Sequence, residues 1–250
     1  MVGTEAVERE SGETSEEAPG SQLVLTGIDG LDEMLGRGVP AGHIITVMGS
    51  FGTGKTTFAL QFLMQGLING EKGVFISLEE DVDSIVANAA SFGWELRSYM
   101  KEKKLHIVKL EPADAKSTVT RIKSELPDFI KRSGASRVAI DSISLLNMLF
   151  ADDSERRARL FALCKQLRST GATCVFTAEV KDENARSSRD GLVEYVSDGV
   201  IGLRFNERDN GDVQLVIQVI KMRRLKHTRS VKPYSITDQG LEVHGDMEVF

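Results

Sequence analysis

Apolar and polar positions alternate along this chain in two different periods. Five short runs rich in β-branched residues read as strands: 43–48 "HIITVM", 74–78 "VFISL", 105–110 "LHIVKL", 137–140 "RVAI" and 173–178 "TCVFTA". Between them, apolar residues recur at helical spacing. Over 55–69, Ala59, Phe62, Leu63 and Gly66 share one face, and over 152–170, Leu160, Phe161, Cys164 and Leu167 do the same. The second of these helices carries Asp152, Asp153 and Glu155 in its first turn, and Gly171 follows it where a C-terminal cap belongs. Apolar strands alternating with helices predict an α/β fold, with a mainly parallel central sheet covered by helices on both faces.

After residue 198 the pattern changes. "VIGLRF" and "VQLVIQVIKM" flank "NERDNGD", a hairpin with Asn210-Gly211 at its turn. "KPYSITDQGLEV" adds two more short strands, so a C-terminal antiparallel extension is expected. Pro127 falls inside the helical stretch 117–132 and predicts a kink or break there.

Charge changes this picture at one end. The net charge is −6, yet residues 1–20 alone hold six glutamates and one arginine. Residues 1–21 read as a disordered acidic tail, and 22–250 as the folded domain. The nearly neutral body creates no basic field for nucleic acid. No apolar run approaches the ~20 residues that cross a bilayer, and the acidic N-terminus lacks the apolar core of a signal peptide. A cytoplasmic protein with no membrane contact is expected. Cys164 and Cys174 form no CxxC pair and read as small buried hydrophobes in a reducing compartment. His43, His106, His227 and His244 have no metal-ligand spacing.

The candidate chemistry starts at "GSFGTGKTT", residues 49–57, which fits G-x-x-x-x-G-K-[ST] between a strand and an amphipathic helix. The loop Gly49, Ser50, Phe51, Gly52, Thr53, Gly54, with Lys55, Thr56 and Thr57 opening the helix, would cradle phosphates in its backbone amides. Lys55 would reach the β- and γ-phosphates, and the Thr56 hydroxyl would ligate Mg²⁺. Hydrolysis needs more: a carboxylate to organise the metal and a group to position water. Asp141 ends the run "RVAI" and supplies the first, as a Walker B aspartate does. Glu79 and Glu80 end the strand after the phosphate-loop helix. Carboxyl ends of parallel strands share one edge, so these glutamates, Asp141 and the loop are expected to meet there. At least one glutamate is then placed to take a proton from water. Adjacent residues point to opposite sides, so one of the two faces the phosphate. Alternation does not say which; Glu80 is taken as the base and Glu79 as its support, with the reverse assignment left open. Asp81 reads as the opening of the next helix.

Several segments together resemble the single-domain archaeal KaiC-like ATPases of the RecA/RadA superfamily. They are 26–63, "FISLEED" (75–81), "SFGWEL" (91–96), "AIDSIS" (139–144), "EYVSDGVIGL" (194–203), "KMR" (221–223) and "PYSITDQGLEV" (233–243). The resemblance implies a RecA-like fold and a homohexameric ring with ATP and Mg²⁺ between subunits. It implies catalysis by the paired glutamates, Ser91 near the adenine, and Lys221 and Arg223 reaching a neighbour's γ-phosphate. Two departures stand out. The family pattern K-x-R-G-T-x-H becomes "KMRRLKH", so Arg224 and Leu225 replace glycine and threonine while His227 keeps its place. Clock-type relatives phosphorylate themselves just before "VSDG", where this chain has Glu194 and Tyr195; Ser187 and Ser188 lie nearby, and autokinase activity is not expected.

The sequence therefore reads as a slow ATPase that serves as a timer, switch or signalling scaffold, partnered by itself and by a further protein. The alternative is a recombinase-like repair accessory that binds single-stranded DNA. The corresponding loops, 147–156 and 181–191, lack the interleaved bases and aromatics that single strands favour. A third reading is a nucleotide-gated assembly module in which hydrolysis is incidental.

Overall fold

Alternation of inward and outward residues along each strand sorts the apolar side chains into two cores, one on each face of a single sheet. The computed structural model describes residues 22–110, 125–148, 150, 152–182, 187–189, 191–207, 211–247 and 249, with Leu146–Met148 in backbone only. The expected acidic tail lies outside the described residues.

A small antiparallel pair, β1 (Leu23–Val24) and β2 (Val39–Pro40), brackets the short helix α1 (Leu31–Met34). The main sheet has nine strands. In chain order they are β3 (Ile44–Gly49), β4 (Gly73–Ser77), β5 (Leu105–Lys109), β6 (Arg137–Asp141), β7 (Thr173–Glu179), β8 (Gly199–Glu207), β9 (Val213–Met222), β10 (Val231–Thr237) and β11 (Gly240–Val243). Their spatial order is β11-β10-β9-β8-β3-β7-β6-β4-β5. From β8 to β5 every pairing is parallel, and from β8 outward to β11 every pairing is antiparallel. Strand placement thus agrees with the sequence pattern, antiparallel extension included.

Ile45, Val47, Phe75, Ala139 and Val175 face one core, closed by α1, α2 (Lys55–Ile68), α3 (Val82–Ala90) and α4 (Leu96–Lys101), with Tyr234 and Leu241 from the extension. Ile44, Met48, Val74, Ile76, Val138 and Phe176 face the other. That core is closed by α5 (Leu126–Ser133), α6 (Ile143–Met148), α7 (Asp153–Arg168) and α8 (Val193–Val196). Helices cover both faces. Among the described residues, no helix is long and apolar enough to cross a membrane.

One helical expectation changes. Phe161 is 47% exposed, and Leu163 joins Leu160, Cys164 and Leu167 in the core instead. Near Pro127, where a kink or break is expected, a helix starts: α5 begins at Leu126, so Pro127 sits in its first turn, where its missing N–H is harmless. Residues 117–124 and Asn210 lie outside the described residues, while Gly211 has the positive φ expected of that turn. Both cysteines are buried and free. Burial pushes the Cys164 thiol up to about 12 and raises Cys174 further, so both stay protonated.

Arg137 fastens the sheet to α2. It is 2% exposed and forks onto Glu71, with Nη2 2.7 Å from Oε1 and Nε 3.0 Å from Oε2. Its Nη1 donates to the carbonyls of Leu25 and Phe62, and the guanidinium lies 4.8 Å from the Phe62 ring centroid. Gly66 is part of this arrangement: a Cβ there would come 2.5 Å from Arg137 Cδ.

Candidate nucleotide-binding and catalytic site

Four neighbouring strands deliver the site to one sheet edge. β3 feeds the phosphate loop, β7 ends in Glu179, β6 ends in Asp141, and β4 runs into the Glu79–Glu80 turn. α2 starts at Lys55, after Gly54 in the left-handed conformation (φ 79°) that glycine adopts without cost. Gly49 is needed for space, because a Cβ there would lie 2.5 Å from Thr53 Oγ1 and 2.7 Å from the Leu203 carbonyl. The loop is tied inward: Thr53 Oγ1 and Lys55 Nζ both donate to the Ser50 carbonyl, at 2.8 and 2.9 Å. Tyr234 of β10 donates its hydroxyl to the Thr53 carbonyl at 2.6 Å. Thr57 is buried, whereas Phe51 is 86% exposed at the loop tip.

Asp141 is gripped on both oxygens. Thr56 Oγ1 donates to Oδ2 at 2.8 Å, and the Thr177 hydroxyl donates to Oδ1. Burial lowers the pKa of Lys55, opposed by the negative charges of Asp141, Glu179 and Glu79. The charges of these three carboxylates thus act on one lysine, as expected of groups delivered to a shared edge. Magnesium fits this donor set, since it takes one or two protein oxygens and leaves the rest to water and phosphate. The buried Ser50 Oγ, which has no hydrogen-bond partner among the described residues, marks a polar cradle of the kind a phosphate fills.

The glutamate turn is held from three sides. The Leu78 amide donates to the Asp141 carbonyl at 2.7 Å, Ser77 Oγ to the Glu80 carbonyl at 2.6 Å, and Lys109 Nζ to the Glu79 carbonyl at 2.6 Å. Asp81 caps α3 by accepting from the Ser84 amide, as the sequence suggests. Glu79 is exposed and Glu80 half-buried. Burial, then the charges of Asp141, Glu79 and Asp81, raise the Glu80 pKa against the weaker pull of Lys109.

Glu179 is the residue that sequence reading missed. It pairs in register with Gly49 and accepts from Arg189 at 3.3 Å. It ends an apolar strand as Asp141 does, but only the strand order shows that the two ends are neighbours.

Ser91, Lys221, Arg223 and His227 are not gathered at this edge. Ser91 ends α3 and turns its hydroxyl to the Asn88 carbonyl. Beside it, the Phe92 and Trp94 rings pack at a tilt of 32° with centroids 4.9 Å apart. A Cβ on Gly240, the first residue of β11, would lie 2.9 Å from Trp94 Cζ2. Lys221 pairs with Val200 and Met222 with Gly199, while Leu203, three residues on, sits beside Gly49. At ~3.3 Å per residue, Lys221 is about 10 Å below the phosphate loop, at the opposite edge. Its Nζ donates to the carbonyls of Glu194 and Ser197, and Arg223 reaches Asp198 and the Tyr195 carbonyl. His227 Nδ1 meets the Thr228 carbonyl. Arg224 has φ 60°, the left-handed region that favours the glycine of the family pattern. Leu225 is partly buried against the first core. Glu194 receives the amide and hydroxyl of Ser188, so this hydroxyl is buried and engaged, while Tyr195 is exposed. Parts of the two loops compared with DNA-binding segments lie outside the described residues.

The fold and the edge cluster define a phosphate-loop nucleotide-binding domain of the RecA-like type. The family model described as "ATPase: KaiC" matches residues 24–248, and the chain belongs to that family. It is 35% identical over 229 residues to the circadian clock oscillator protein KaiC of Synechococcus elongatus, covering 87% of this chain and 43% of that one. The Acaryochloris marina protein of the same name is 33% identical over 231 residues, again with 43% of its length covered. The chain thus spans less than half the length of these curated relatives. A UPF0273 protein of Aeropyrum pernix is similar over nearly its whole length: 33% identity, covering 90% of this chain and 95% of that protein. The crystal structure of a KaiC-like protein from Pyrococcus horikoshii superposes with a TM-score of 0.80 at 32% identity, covering 90% of this chain and all of the other.

Proposed function

We propose that this chain binds ATP with Mg²⁺ at the phosphate loop and hydrolyses it slowly, within a homohexameric ring that acts as a cytoplasmic timer, switch or signalling scaffold. The observation that carries the reading is the Thr56–Asp141 hydrogen bond at 2.8 Å, which joins the phosphate-loop helix to the strand-end carboxylate. Thr56 and Asp141 would hold the metal, which when bound neutralises charge on the phosphate oxygens. Lys55 and the loop amides bind the phosphates. Glu80, half-buried, accepts the proton of the attacking water, and Glu79 supports it. Glu179 lies beside Lys55 and helps to fix the lysine's charge.

The ring reading draws support from topology. Lys221 and Arg223 occupy the edge opposite the phosphate loop, where they cannot serve their own nucleotide. Head-to-tail packing brings that edge of one copy to the loop of the next. Ser91 and His227 join the nucleotide contacts in this arrangement. Ring state then decides whether a protein partner is held.

Phosphate release from ATP and Mg²⁺ tests the chemistry. The Glu79→Gln/Glu80→Gln double variant should lose about 100-fold or more in turnover while keeping its ATP affinity. Unchanged turnover would remove the catalytic assignment.

A further inference from the structure

We infer that Lys109 is a positioning residue that holds the Glu79–Glu80 turn in its catalytic place. This inference rests on the proposed role of that turn in hydrolysis. Lys109 ends β5, the last strand on its side of the sheet, and pairs in register with Ser77. A lysine at such an edge ordinarily leaves its ammonium in water and keeps its rotamer freedom. Here Nζ is 2.6 Å from the Glu79 carbonyl, a charge-assisted hydrogen bond that gives up that freedom.

The turn needs such a tie. Backbone bonds fix its start, through Leu78 to Asp141 and through the Leu110 amide to the Ser77 carbonyl at 2.8 Å. The Asp81 cap fixes its end. Between these points the peptides of Glu79 and Glu80 are held by two side chains, Ser77 and Lys109. The acids around Glu80 repel one another: Asp141 from β6, and Glu79 and Asp81 from the turn itself. Lys109 is the cation that opposes them from β5. Without its ammonium the turn loses both a tether and the counter-charge that keeps three carboxylates close. A displacement near 1 Å is enough to cost a reaction of this kind a large factor in rate. Lys109 lies apart from the phosphate loop, so the effect should fall on turnover and spare nucleotide binding.

Lys109→Met keeps the length of the side chain and removes the charge, and Lys109→Arg restores it. Both would be compared with wild type and with the Glu79→Gln and Glu80→Gln variants in steady-state ATP hydrolysis, ATP binding and thermal melting. Lys109→Met should lower kcat about tenfold with KM and ATP affinity within about twofold, and Lys109→Arg should recover most of the loss. The melting temperature should stay within about 2 °C of wild type, as for a half-exposed substitution away from the core. Wild-type kcat in Lys109→Met overturns the inference, as does a loss that falls on KM or that arginine does not repair. If both glutamine variants hydrolyse ATP normally, the reading of the turn itself fails. If they are slow and Lys109→Met is not, only the role of Lys109 fails.

Discussion

At Thr56 one hydroxyl ties the phosphate-loop helix to a strand-end carboxylate, the pair proposed to hold the metal. Its bond to Asp141 couples the first turn of α2 to β6, two strands away. Thr56→Val preserves the branched shape and deletes the donor. Turnover should fall about 10- to 100-fold, equivalent to roughly 1.4–2.7 kcal/mol of transition-state stabilisation, and more Mg²⁺ should be needed at fixed ATP. Thr56→Ser should recover most of both. A Mg²⁺ titration of phosphate release checks this, and an unchanged titration would remove Thr56 from the metal site. Residues such as Thr56 were legible because the phosphate-loop pattern is local and unusual. Glu179 and Lys109 were not. A glutamate or lysine at a strand end is commonplace, and only the strand order reveals what stands beside it.

Elements are joined in this protein by a few charged side chains, and Asp198 is the clearest case. It accepts from the Ile44 amide at the start of β3, from Arg168 on α7 and from Arg223 after β9. Burial alone would raise its pKa, but the Ile44 amide and Arg168 outweigh that and leave it lowered. Glu71 is lowered mainly by its bond to Arg137. Both groups bind protons more weakly folded than unfolded. Their contribution to stability is therefore complete above about pH 5 and is lost as pH falls through their folded values. Melting temperature followed from pH 7 to pH 3 should drop steeply in the acid range, and Asp198→Asn should flatten that slope. An equal slope in the variant would contradict the account. Helix faces were less legible than strands at this scale. The helical period of α7 allowed Phe161 or Leu163 to be buried, and the choice belongs to the sheet it packs on.

For the whole molecule, the main fact is that the two sets of candidate nucleotide contacts lie on opposite edges of one sheet. A Lys55→Ala variant and a Lys221→Ala/Arg223→Ala variant should each be inactive alone. Mixed at equal amounts, they should regain about a quarter of wild-type activity, because random head-to-tail assembly rebuilds that share of sites. No recovery would argue against cations supplied between copies. Strand–helix alternation made the parallel half of the molecule readable in advance. The service of the antiparallel half was hidden, since Tyr234 meets Thr53 across 181 residues.

The aromatic pair beside Ser91 has a practical consequence. Trp94 is the chain's one tryptophan, so its fluorescence comes from a single known place. That indole packs against Phe92 and Gly240, close to where the base is proposed to sit. The protein thus carries a built-in optical reporter. Adding ATP should shift or quench its emission in a saturable way, so nucleotide occupancy could be followed in real time without a label.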